Sequence, residues 1–280
     1  MFTLREICLL GLMPGVVGHL VLWLVCRGKR GTTASWPAAL AIGGGMPLAG
    51  VLASGIHGRP REAFDWLVLL PGCAMATGVL MHWIGVWGMV LVAAGGVLSA
   101  WLLAVPGMTT GDAIATAAAP GVVYALLLPA ARRQGGATLS ASWLIVAAAT
   151  TCVSMASTGI TFGKYTVALS AALGGVWLAT LIIRRASLSP GGLAAFVLIW
   201  TSLLVYGYEW VDVPRWRVLV LLATPLALWL GEIPGIRSRG PRTRSAVTLA
   251  CVFAFAAIAA VPAVMELLTM LRSQTQVGGY

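Results

Sequence analysis

The 280-residue chain is 59% hydrophobic and only 9% charged, with a formal charge of +10. A soluble core cannot absorb so many apolar side chains, and uninterrupted apolar runs of about 20 residues match the length a helix needs to cross a bilayer. The runs do not alternate in and out as barrel strands would, so the expected class is all-α: a polytopic transmembrane helix bundle.

Taken in chain order, the apolar runs predict about ten spans, roughly 7–26, 36–56, 64–81, 84–105, 112–131, 141–160, 165–183, 191–208, 216–233 and 246–265. The first reads as a membrane anchor, because its positive cluster follows the apolar run where a signal peptide's would precede it. The third and fourth share one stretch from Phe64 to Val105, with "MHWIG" at 81–85 the only turn available. Prolines within spans (Pro14, Pro47, Pro71, Pro120, Pro225 and Pro262) each remove a backbone hydrogen bond, so kinked helices are expected. Gly43-Gly44-Gly45, Gly95-Gly96, Gly174-Gly175 and the Gly11/Gly15 pair are expected to let helices approach closely.

The basic residues are clustered between the apolar runs: "RGKR" at 27–30, Arg132-Arg133, Arg184-Arg185, and Arg237, Arg239, Arg242 and Arg244. If the first cluster is cytoplasmic, alternation places the others inside too and both termini outside, as the positive-inside rule requires. Position therefore explains the charge, and no nucleic-acid partner is expected. Glu232 is the only acid on the inner side. The chain reads as one integral membrane domain, 1–280, and an even span count permits two five-span halves, 1–139 and 140–280. Short loops and the lack of a targeting segment point to a bacterial inner membrane.

Five cysteines (Cys8, Cys26, Cys73, Cys152 and Cys251) stand singly in apolar segments. No CxxC pair and no metal-ligand spacing occurs, so neither metal nor cofactor is expected. "GITFGKYT" at 159–166 falls short of a phosphate loop, since Lys164 is followed by Tyr165 where Ser or Thr belongs.

The densest charge outside the basic clusters is "EWVDVPRWR", with Glu209, Asp212, Arg215 and Arg217 in nine positions. Its structural reading is an interfacial loop between Tyr and Trp side chains, in which Asp212 caps the ninth span and Pro214 lies in its first turn. Its functional reading is a mouth for an anionic or zwitterionic solute or a lipid headgroup, shared with His57, Arg59, Arg61, Asp112 and Lys164 of other outer loops. Asp112 also suits a helix N-terminus with no ligand involved.

His19 is the one ionisable group near the middle of a span, a candidate for proton coupling or, equally, a neutral imidazole bonded to a neighbouring helix. Thr150, Ser154, Ser157 and Thr161 recur at helical spacing and predict a hydroxyl stripe, serving helix packing or a hydrated path. In size and span count the chain is similar to compact secondary carriers such as the drug/metabolite transporter superfamily, although no family motif is present and the expected outside N-terminus departs from that superfamily's cytoplasmic termini. The leading expectation is a small carrier or flippase-like protein for a polar or amphiphilic solute. A non-catalytic membrane subunit or assembly factor is the alternative, and an intramembrane lipid-modifying enzyme a third, which requires a histidine to meet a carboxylate.

Overall fold

The computed structural model describes residues 7–28, 35–54, 63–84, 87–104, 108–157, 160–183 and 186–277. Among these residues there is no strand, and the helices form ten rods joined by short connections. A π-helical start, Ile7–Leu12, leads into α1 (Met13–Gly28). Then follow α2 (Trp36–Ser54), α3 (Ala63–Ile84), α4 (Gly88–Leu102), α5 (Thr110–Arg133), α6 (Gly136–Ala156), α7 (Ile160–Ile182) and α8 (Gly191–Trp210). The ninth rod changes geometry midway: α9 (Arg215–Ala223) continues as a 3₁₀ segment, Thr224–Glu232. The short α10 (Pro234–Arg237) precedes α11, Pro241–Val277, which at 37 residues is the longest helix.

Six of the described helices are long and apolar enough to cross a membrane, on α1, α5, α6, α7, α8 and α11. α3 and α4 carry shorter apolar stretches, Asp65–Met81 and Gly88–Leu102. The turn expected at 81–85 is displaced, since α3 continues through Met81–Ile84 and the break follows Ile84.

The packing is a ring around one central helix. Going round, α1 packs on α2, α2 on α3, α3 on α4, α4 on α5, α5 on the 3₁₀ segment, that segment on α11, α11 on α6, α6 on α7 and α7 on α1. α8 lies inside this ring with 89% of its apolar window buried, against 28% for α11. Its sequence explains the place: Leu193 through Leu204 carries only Thr201 and Ser202 as non-aromatic polar residues, and both hydroxyls bond back to carbonyls of their own helix.

The core is aromatic as well as aliphatic. Trp143 of α6, Phe196 and Trp200 stack in succession, with centroid separations of 5.0 and 5.5 Å. Close helix contacts occur where a Cβ would strike the facing helix's backbone: on Gly15 it would meet Ala171 and on Gly175 it would meet Gly15, while Gly78 and Gly191 block each other. Of the expected glycine groups, Gly43, Gly45 and Gly96 also lie against a neighbouring helix's backbone, whereas a Cβ on Gly174 or Gly11 would meet nothing. Pro71, Pro120, Pro129 and Pro262 all lie within helices.

The rods bring their ends together in two groups. Trp210 Nε1 donates to the Leu103 carbonyl at 3.0 Å, so the ends of α8 and α4 share one end of the bundle, called here the 211–214 end after its central loop. At the opposite, 233–240 end, Ser35 Oγ accepts from Gly191 N at 3.0 Å, Gly136 lies against Ala186, and Arg244 donates to the Arg133 carbonyl at 3.0 Å. Residues flanking the 27–30, 132–133, 184–185 and 237–244 clusters therefore meet at this one end.

Candidate functional site

The 211–214 end is built by a loop that turns sharply. Asp212 adopts a left-handed backbone (φ 54°), a conformation Asp tolerates better than most residues, and Val213 N bonds to the Gly207 carbonyl at 3.0 Å. Asp212 is therefore not the cap of the ninth rod. The N-cap position is Pro214, which contributes no side-chain bond, and α9 begins at Arg215. Asp112 does act as expected of a first-turn carboxylate: Thr109 Oγ1 accepts from Asp112 N at 3.2 Å and donates to Asp112 Oδ2 at 2.7 Å.

Arg215 and Arg217 diverge because residues two apart on a helix point to opposite sides. Arg215 lines a cleft of about 130 Å³ between α5, α8 and α9, together with Asp112, Thr116, Tyr208 and Thr201. The charged and phenolic groups sit at its mouth, while Leu204, Val218, Leu219 and Leu222 line its walls. α5 and α9 do not pack along one another, so α8 forms the floor. Pro120 deprives the Thr116 carbonyl of its helical donor, one turn below Asp112, which adds an acceptor to this wall. Glu209, at the rim, has Asp112 as an electrostatic neighbour, and its Oε1 is buried without a hydrogen-bond partner.

Arg217 turns the other way, into a separate cavity of about 360 Å³ lined also by Ser157, Asp212, Val213 and Glu266. Its side chain is 6% exposed, pairs through Nη2 with Glu266, and lies 5.2 Å from the Trp216 ring centre. Its Nε is buried with no partner. A third cavity, about 200 Å³, opens between α3, α4 and α8 beside Cys73, Thr77 and Ser202.

The hydroxyl stripe is divided between helices. α6 ends at Ala156, so Thr150 and Ser154 lie on it, Ser157 is its C-cap and Thr161 belongs to α7. Thr150 accepts from Trp200 Nε1 at 3.0 Å and Ser154 meets Thr166 at 2.7 Å, so both are spent on helix contacts. Ser157 lines the cavity beside Arg217.

His19 is half-buried on α1, with Nδ1 buried and unbonded. α1 packs on α2 and α7, not on α5 or α9, and His19 lines none of these three cavities. Lys164, half-buried in α7, lines none of them either. His57, Arg59 and Arg61 lie outside the described residues.

The 233–240 end holds a cluster that the charge pattern hinted at through one lone acid. Glu232, with 5% of its side chain exposed, pairs with Arg244, stands 3.8 Å from Arg133 Nη1 and accepts from Gln134 Nε2 at 3.3 Å. The knot joins α5, the 3₁₀ segment and α11, reinforced by Thr138 of α6 donating to Ser245 at 2.9 Å. An acid surrounded by arginines is the signal that could have found it. Among the described residues no group of His, Cys, Asp and Glu is arranged to hold a metal ion. No family model matches the sequence, no curated protein matches it, and no solved structure matches the fold.

Proposed function

We propose that the protein is a ten-span membrane carrier, flippase-like in action, for an amphiphilic solute that enters the cleft between α5, α8 and α9. The observation that carries this reading is the cleft's polarity: Asp112, Tyr208 and Arg215 stand at the mouth, apolar walls lie below, and Thr201 waits halfway along the central helix. A headgroup with charge finds bonding partners at the rim, and its apolar portion finds Leu204, Leu219 and Leu222. The open side between α5 and α9 lets such a molecule arrive from the lipid phase.

The positive-inside rule places the arginine-rich 233–240 end in the cytoplasm and the cleft at the outer face. Exposed tryptophans support the same frame: Trp101, Trp210 and Trp216 belong to one end, Trp83 and Trp87 to the other. Trp87 and Trp101 bracket α4 at a separation of about 21 Å along the helix, suited to two headgroup-level girdles. The Glu232 knot closes the bundle beneath the cleft, as expected of an outward-facing carrier. Coupling through His19 is a separate part of the reading, supported by its unbonded buried nitrogen, and His19→Gln is expected to flatten any dependence of transport on a proton gradient.

The test is reconstitution in liposomes with fluorescently tagged phospholipids and lipid-linked sugars, followed by quenching from outside. Protein-dependent movement of one class, reduced about tenfold by Arg215→Ala, supports the reading. Equal leakage with protein and with empty liposomes for every amphiphile offered sinks it.

A further inference from the structure

The 360 Å³ cavity beside Arg217 shares no residue with the carrier cleft. We propose that it is a second binding site, for a zwitterion that joins a primary amine to a phosphate. The chemistry follows from what the cavity leaves unsatisfied. Arg217 is almost wholly buried, with Nη2 paired to Glu266 and Nε left without an acceptor. A buried guanidinium donor without a partner is costly, and a phosphate oxygen is the acceptor its planar fork fits best.

A simple anion is nevertheless the wrong occupant, because two carboxylates, Asp212 and Glu266, face the one guanidinium. Glu266 is half-exposed and already engaged by Arg217, whereas Asp212 stands exposed and, among the described residues, forms no ion pair. A simple cation would satisfy Asp212 and leave Nε bare. A molecule carrying both charges satisfies both ends, with Ser157 Oγ as a further polar contact and Val153, Val211 and Val213 against the short spacer. The same chemistry is offered by the headgroup of an aminophospholipid and by free phosphoethanolamine.

The full-length protein in phosphatidylglycerol nanodiscs, titrated with phosphoethanolamine and with inorganic phosphate, tests this. Native mass spectrometry after exchange into mixed phosphatidylethanolamine and phosphatidylglycerol discs forms the second arm. Binding of phosphoethanolamine in preference to phosphate identifies a soluble zwitterion; selective retention of phosphatidylethanolamine alone identifies the lipid source. Asp212→Asn keeps a side chain suited to the left-handed backbone and is expected to weaken the zwitterion about fivefold while strengthening phosphate binding, since one of the two opposing carboxylates is gone. Arg217→Gln is expected to abolish both. Absence of selective binding in both arms, phosphate bound as tightly as the zwitterion, or an Asp212→Asn protein indistinguishable from the parent overturns the proposal. Because Arg215 is untouched, loss of this site leaves lipid movement through the cleft as a separate measurement.

Discussion

The two ends of the bundle use charge in opposite ways. At the 233–240 end one carboxylate, Glu232, gathers two arginines and a glutamine from α11 and the end of α5. At the 211–214 end the charges are parted: Arg215 faces one cavity, Arg217 another, and Asp212 projects from a loop and, among the described residues, forms no ion pair. The knot pairs its charges with one another, although Glu232 Oε2 and Arg244 Nε keep no hydrogen-bond partner, and no described cavity opens onto it. Separated charges held at the rims of cavities do the reverse, and they hold the chemistry of both sites proposed above.

That contrast is open to measurement, and the largest effect belongs to the knot. Glu232→Ala removes the acceptor of Arg244 and Gln134 at once, and a buried pair broken from one side costs about 3 kcal/mol. Thermal unfolding in a fixed detergent should show it as a large drop, and an unchanged midpoint would mean that the knot does not hold α11 to α5. Trp200→Phe comes next: it keeps the ring stack but leaves the Thr150 hydroxyl without its donor, for a loss of about 1 kcal/mol. Arg133→Ala should be smallest, since its contact with Glu232 is 3.8 Å long and half-exposed, worth less than about 0.5 kcal/mol. Were Arg215→Ala to destabilise the fold as much as Glu232→Ala, the distinction between a structural end and a binding end would collapse.

Much of the architecture was legible because lipid and water divide a chain coarsely. Each expected run corresponds to a helical rod, the break in the long apolar stretch follows Ile84 at the far edge of the expected 81–85 turn, and described residues flanking the basic clusters meet at one end. Finer features resisted for local reasons. Spacing alone put Ser157 and Thr161 on the helix of Thr150, whereas an extended backbone at Ser157 (ψ 159°) ends that helix first. Asp212 resembled a cap by residue type, but the turn swings it into a left-handed conformation two residues ahead of the true N-cap. Arg215 and Arg217 read as one cluster in sequence, since only the start of α9 decides that they part. Glu232 stood out by composition, but its partners come from Gln134 and Arg244, which no local pattern brings together.

The 3₁₀ geometry of Thr224–Glu232 has a mechanical corollary. At about 2.0 Å per residue these nine positions run about 18 Å, whereas ordinary α winding would span about 13.5 Å. Rewinding it as the wider α-helix would shorten the ninth rod by about 4.5 Å, drawing the Glu232–Arg244 pair at its foot toward the Arg217–Glu266 pair at its head. The ninth rod therefore stands at the longer of these two windings, clasped near each end by an ion pair to α11.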